Sequence, residues 1–335
     1  MMKRHLFFFA IILFASSSLS VAQEVQEYKV KMLGPANLNF RKSPKRVVIS
    51  DFQVNYQTAL SLEDEKKGGK MFRGGLKGDA KASLTLVLEG LDQEALQKLT
   101  DQLYADYVKE LQSQGFEVAP IEEVWNHKLY QTSRDKRWEL KAGNGAERGE
   151  RFGMLLTRPS THKFVVSKKE FDKTKAGIAT LADYETGTER KIATQKNDFI
   201  FNKVVVVINA FEDAQGEGSK ALGRLAGTAQ VKAETNFKVS EFSVIKFNFG
   251  EVMPRGGIVV SDVLEKQKFD AFQRADVDKL GTDYGNIMTV WEVENREDSD
   301  YITVKCDPKK FIKGAELGTS AFLKSAVKEL ADKSN

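Results

Sequence analysis

Cysteine is nearly absent: Cys306 is the only one, so no disulfide can close within the chain and no cysteine-rich metal site can be built. Histidine is almost as scarce, at 3 in 335 residues. His5 lies at the amino terminus, His127 follows Trp125 on an expected helix, and His162 sits in a basic loop. No two-histidine zinc motif on one helix exists, and both later histidines read as ordinary surface residues. A Gly-x-Ser-x-Gly nucleophile elbow is also missing. An excess of one charge is lacking too. Without Lys3 and Arg4, the 51 basic residues become 49 against 47 acidic ones, which gives no support to nucleic-acid binding.

What is present begins at the amino terminus. Lys3-Arg4-His5 precede an apolar run from Leu6 to Ala15, and small residues follow at Ser20 and Ala22. These are the three parts of a cleavable signal peptide over residues 1–22, with the mature chain starting at Gln23. The apolar run is shorter than the roughly 20 residues that span a bilayer. No cysteine lies near the cut to carry a lipid. The expectation is a protein exported to the periplasm or the cell exterior.

The remaining 23–335 read as a single α+β domain with a mixed sheet. Arg46 to Phe52 is a continuous apolar run of the kind that forms a buried strand, and Ala82 to Leu88 alternates like a half-buried one. Between them, Ser61 to Asp79 is polar and contains glycine. Asp92 is placed to cap a helix carrying Leu96, Leu99, Leu103, Tyr107 and Leu111 at steps of three or four, and Gly115 is placed to end it. Phe116 to Ala119 then reads as strand and Ile121 to Tyr130 as helix, giving an amino-terminal strand-helix-strand-helix layer. From about 131 to 197 the pattern dissolves into a Gly/Lys-rich charged insertion, an elaborated surface region with a short strand near Phe164.

Val204 to Ile208 is β-branched or isoleucine throughout and reads as a central strand. Val231 to Phe249 alternates regularly, which predicts two antiparallel strands joined near Ser240 and Glu241. Further strands are expected at Gly257 to Val260, Ile287 to Val293 and Tyr301 to Val304. Asp307 and Pro308 open a C-terminal helix as cap and first residue.

The candidates for chemistry are few. Cys306 precedes a helix cap, a setting that can activate a thiol, although a small half-buried hydrophobe is the commoner role. Gly216-Glu217-Gly218-Ser219 has neither phosphate-loop spacing nor an expected helix after it. Glu122-Glu123 and Asp298-Ser299-Asp300 match no calcium-loop spacing. These patterns assign no catalytic, cofactor-binding or metal residue. A hydrolase built on two carboxylates stays open, since two such residues can meet from anywhere in the chain.

One resemblance adds to this. Val47-Val48-Ile49-Ser50-Asp51-Phe52, then Leu99 to Leu111 on a helix, then Gly115-Phe116-Glu117-Val118 leading to Ile121-Glu122-Glu123-Val124, resembles the amino-terminal α/β domain of the TolB and curli-secretion-channel families. The resemblance spans about Arg46 to Tyr130 and implies a non-enzymatic binding or assembly module of the bacterial envelope. Its partner would be another protein or further copies of itself, with no cofactor. The chain lacks the lipoprotein cysteine of the curli channel, and its strand-rich Val231 to Val304 region has no counterpart there. A membrane-associated, pore-like β-hairpin at Val231 to Phe249 is the other alternative, and a soluble sheet with one wet face is favoured over it.

Overall fold

The computed structural model describes residues 23–33, 44–70, 76–131, 138–149, 153–167, 189, 191–193, 199–226, 228–247, 250–274 and 301–334. The expected signal peptide and the strand expected at Ile287 to Val293 lie outside them. In chain order the strands are β1 (Lys29–Leu33), β2 (Arg46–Gln57), β3 (Ala59–Lys66), β4 (Gly69–Lys70), β5 (Leu76–Lys77), β6 (Ala80–Glu89) and β7 (Glu117–Ala119). They continue as β8 (Trp138–Ala142), β9 (Glu147–Arg148), β10 (Met154–Thr157), β11 (Lys163–Ser167) and β12 (Ile200–Asp213). The last are β13 (Thr228–Val239), β14 (Val244–Phe247), β15 (Gly250–Arg255), β16 (Ile258–Val259), β17 (Lys268–Arg274) and β18 (Ile302–Lys305). Among the described residues three longer helices accompany them: α1 (Gln93–Ser113), α2 (Glu217–Ala226) and α3 (Pro308–Ser334). The fold is α+β.

The main sheet runs β1-β15-β14-β12-β2-β10-β9, with β7 also on β2 and β13 also on β12. Its centre is the pair β2 and β12, parallel from Ile200 opposite Val47 to Ile208 opposite Tyr56. β7 is parallel to β2 as well, so β2, α1 and β7 make a strand-helix-strand unit with the helix on one face. α1 forms where its sequence asks for it. Asp92 accepts a hydrogen bond from the Glu94 amide, and the apolar stripe from Leu96 to Leu111 is buried. At the far end Gly115 has φ +82°, while the Phe116 and Gly115 amides return to the Leu111 and Gln112 carbonyls. That paired closure needs a left-handed residue, which glycine adopts without a Cβ clash.

α3 lies beside α1 on the same face. Asp307 accepts from the Lys309 and Lys310 amides, and Pro308 takes the first helical position. Phe311 meets Phe237 edge-on at 5.1 Å between ring centroids. At Gly314 a Cβ would sit 2.3 Å from Val263 Cγ2 and 3.2 Å from Phe237 Cε1, so these two side chains pack directly on the helix backbone.

The alternating segment of β13 and β14 is arranged differently from the sequence reading. The chain does not reverse at Ser240. Val239 lies opposite Ile208 and Val244 opposite Val205, so both strands run along the same edge of β12 in one direction, interrupted by a bulge. The Ser240 amide bonds the Val207 carbonyl and Ser243 Oγ accepts from the Val207 amide, which fills the ladder across the interruption. The reversal comes after Phe247, which pairs with Gly250 in β15. Phe237, Ile245 and Phe247 all belong to the main core.

Two other stretches depart from their reading. β3 occupies part of the polar run from Ser61, pairing with β6 from Ala59 opposite Val87 to Lys66 opposite Ala80. β4 and β5 keep the same register, so β3 to β6 is one long hairpin. Inside the supposed surface insertion, β10 joins the main sheet against β2, while β8 and β11 pair with each other. With the helical turns at Glu122–Trp125 and Lys128–Gln131 and the buried Ile192, they build a second small core on the opposite face of the sheet, around Val48 and Phe201.

Candidate functional site

The sheet carries a buried ion cluster on that opposite face. Its origin is a single extra residue in β2. Ile49 is opposite Asn202, yet Asp51 is opposite Lys203, so Ser50 is a bulge. The bulge shifts the alternation: Val47 and Ile49 point to the α1 side before it, Phe52, Val54 and Tyr56 after it. Asp51 is thereby turned to the other face, beside Lys203. It is 2% exposed.

Arg158, which follows β10, closes on Asp51 with Nε to Oδ1 at 2.8 Å and Nη2 to Oδ2 at 3.3 Å. Lys203 Nζ stands 3.6 Å from Oδ2. The segment bearing Arg158 is itself held by α1: Gln97 Nε2 donates to the Arg158 carbonyl at 2.7 Å, and Asp101 accepts from the Ser160 amide and hydroxyl. Gly143 packs flat against the Arg158 carbonyl, where a Cβ would overlap it. Burial pushes the Asp51 carboxyl up, but Arg158 and Lys203 outweigh burial and hold it below the ordinary carboxylate range.

Glu189 joins the cluster from the helical turn that carries Ile192. It is 5% exposed. Burial raises its pKa to about 7; a hydrogen bond with Ser50 and the charge of Lys246 oppose the rise, and Asp51 adds to it. Two carboxyls with pKa values pushed apart are the pattern of an acid/base pair. A substrate would need a way in, however. The indentation beside Arg158, walled by Lys141, Gly143 and Glu147, has no room for a water molecule. Among the described residues, Asp51, Arg158, Lys203 and Glu189 lie together as a buried ion network.

A second surface feature lies elsewhere among the described residues. An open groove of about 550 Å³ crosses the outer face of β12, β13 and β17. Its walls carry both charges in register: Lys232 opposite Asp270, Glu234 opposite Lys268, Glu212 opposite Glu234. Glu212 is bound by Lys238 at 2.9 Å and Asp213 by Lys220 at 2.6 Å.

The residues singled out in the sequence do not converge. His162 packs at a tilt against Tyr104, 4.4 Å between ring centroids, and hydrogen-bonds Thr161; burial lowers its pKa against Glu122 and Asp101. His127 belongs to the half-buried turn between the two short helices. Cys306 is half-buried near Gly90, and burial with the neighbouring Asp307 pushes its thiol pKa up, which disfavours the reactive thiolate. Gly216 precedes helix α2, whose first residues are Glu217, Gly218 and Ser219, where the sequence suggested a strand to follow. Lys220 there is committed to Asp213 and Glu217, so two carboxylates stand where a phosphate would bind. Glu123 is paired with Arg46 at 2.6 Å, and Asp298 to Asp300 fall outside the described residues. Among the described residues no group of three His, Cys, Asp or Glu is placed to hold a metal. Nor is any helix there long and apolar enough to cross a membrane.

Compared with protein-family models, with curated proteins and with solved structures, the chain matches none. The likeness to the TolB and curli-channel domain therefore rests on the quoted residues alone.

Sequence reasoning missed the Asp51, Arg158, Lys203 and Glu189 cluster. A signal was there: Asp51 and Lys203 each sit inside an apolar strand run, where a charge needs a buried partner.

Proposed function

We propose that this protein is an exported, non-enzymatic module of the bacterial envelope that binds a protein partner or assembles with itself. The observation that carries the reading is the contrast between its two charged regions. The buried network of Asp51, Arg158, Lys203 and Glu189 is spent on holding β2, β10 and β12 together, whereas the mixed-charge groove on β13 and β17 faces outward. Charges of both signs in fixed register suit recognition of a polar protein surface, where complementarity sets register and partner choice. Export is supported by the signal-type residues 1–22.

The test is photo-crosslinking in the intact envelope. A photoreactive residue at Lys268, in the groove, is expected to give one defined adduct, and the same probe at Lys81, on the exposed face of β6, none. Equal adducts from both positions, or none from either, would reject the groove as the binding face. The pore-like hairpin reading gains no support, because the apolar face of β13 and β14 is already covered by α3 and the core.

A further inference from the structure

Residues 23–33 form a strap along the outermost edge of the main sheet. Gln23 Nε2 donates to the Lys310 carbonyl at 2.8 Å. The Glu24 carbonyl accepts from the Ser261 amide, the Gln26 amide bonds the Val259 carbonyl, and Val25 bridges Val260. Tyr28 Oη reaches the Ala321 carbonyl at 3.0 Å and Ser325 Oγ at 2.8 Å. β1 then pairs with β15, Lys29 opposite Arg255 through Leu33 opposite Glu251. All these contacts are to β15, β16, the turn after β16 or α3. The strap is thus one separable element with one continuous acceptor.

Two further observations bear on how firmly it is held. None of residues 23–33 is fully buried; Val25, Tyr28, Val30 and Met32 only pack against the rim of the core. Its attachment is a main-chain ladder with a few polar anchors, which costs little apolar burial to open. The order β1-β15-β14-β12-β2 also places three strands between the strap and β2, to which residues 34–45 connect it. Four inter-strand steps amount to about 19 Å. A connection of that length can extend to about 40 Å, leaving slack for a different docking site.

We infer that the strap exchanges between copies of this chain, residues 23–33 of one copy pairing with β15 and β16 of a second. A strand ladder is indifferent to which chain supplies it, and the acceptor on a second copy is identical to the one the strap already fits, down to the Tyr28 seat on α3. The inference rests on the proposed assembly role, but it concerns a different surface from the β13–β17 groove. Failure of exchange leaves the Lys268 crosslinking result untouched.

The experiment uses the chain from Gln23 onward with Cys306→Ser, so that no natural thiol remains. Lys31 and Met253 stand opposite each other in β1 and β15. The variants Lys31→Cys and Met253→Cys are purified separately, mixed and mildly oxidised. Exchange gives a reducible heterodimer at twice the monomer mass, from the mixture and from neither variant alone. The double variant, Lys31→Cys with Met253→Cys, closes within one chain and reports that the pair is within reach. A mixture that stays monomeric while the double variant closes overturns the inference. A fluorescent peptide of residues 23–33 gives a readout that needs no disulfide: the intact chain is expected to take it up, with a rise in anisotropy. No uptake even at high peptide concentration would equally reject exchange.

Discussion

Arg158 grips Asp51 through both carboxylate oxygens, from just beyond a strand absent from the sequence reading to the bulge at the centre of the sheet. Replacing Arg158 with Met leaves a carboxylate that is 2% exposed and has lost its bidentate partner, with Lys203, Gln53 and the Phe52 amide still beside it. Removing one partner of a buried pair costs about 3 to 5 kcal/mol. The pH dependence has a definite sign. The folded pKa of Asp51 is depressed, so its stabilisation is present above the unfolded value near ~3.9 and is lost as pH falls through the folded value. Urea midpoints of the two proteins are therefore expected to differ most at neutral pH and to converge below about pH 4. A gap that stays constant down to pH 3 would show that the loss is one of packing and not of charge.

Glu189 has the opposite sign. Its folded pKa is raised to about 7, so the stability it allows is fully present below the unfolded value of 4.5 and is lost as pH rises toward 7. The difference amounts to roughly 3 kcal/mol. Glu189→Gln keeps the size and a hydrogen-bonding group for Ser50 while removing the charge. Its stability is expected to be nearly flat between pH 5 and 8 and to exceed that of the parent at pH 8. Parallel pH profiles for the two proteins would mean that another group titrates in this range.

Glycines at two helix positions answer to different forces, and alanine separates them. At Gly115 nothing lies within 4 Å of an added Cβ, so Gly115→Ala costs only the left-handed backbone, about 1 to 2 kcal/mol. At Gly314 the same methyl meets Val263 at 2.3 Å and Phe237 at 3.2 Å. α3 or the Val263 turn must then give way, with an overpacking cost of about 1 to 3 kcal/mol or more. Loss of hydrogen-exchange protection is expected to stay local to the end of α1 in the first variant and to spread along α3 in the second.

These contrasts mark what could be read from the sequence. α1 was legible end to end because its cap, its stripe and its terminating glycine lie within 24 residues, from Asp92 to Gly115. The opening of α3 was legible for the same reason. β12 was legible as a central strand because Val204 to Ile208 are apolar on both faces. Pairing was another matter: alternation shows that β13 and β14 have one wet face but not which strand they lie beside, and a bulge at Ser240 looks like a turn. β3 was hidden by Asp64, a charge on the inward face that is affordable only because Arg224 Nε and the Gln230 amide reach it at 2.7 and 3.0 Å. The ion cluster was hidden by distance along the chain, since residues 51, 158, 189 and 203 come together only after the sheet has formed.

Phe247 offers the sharpest test of how β14 is used. It is 2% exposed, on the same strand as Ile245 and just before the reversal into β15. The alternation that buries it would equally suit a strand with its apolar face against lipid. The two readings make opposite demands on a charge at this position. In the packed sheet, Phe247→Asp places a carboxylate in an apolar core and costs several kcal/mol. A large share of a typical domain's stability is lost at once, so the chain is expected to unfold or aggregate. A lipid-facing strand would instead leave the body folded and weaken only its attachment to membranes. Circular dichroism and sedimentation of the purified variant, with flotation on vesicles of mixed phosphatidylcholine and phosphatidylglycerol, distinguish these outcomes. A folded, soluble Phe247→Asp chain that has lost vesicle binding would overturn the packed-sheet account, whereas an unfolded one supports it.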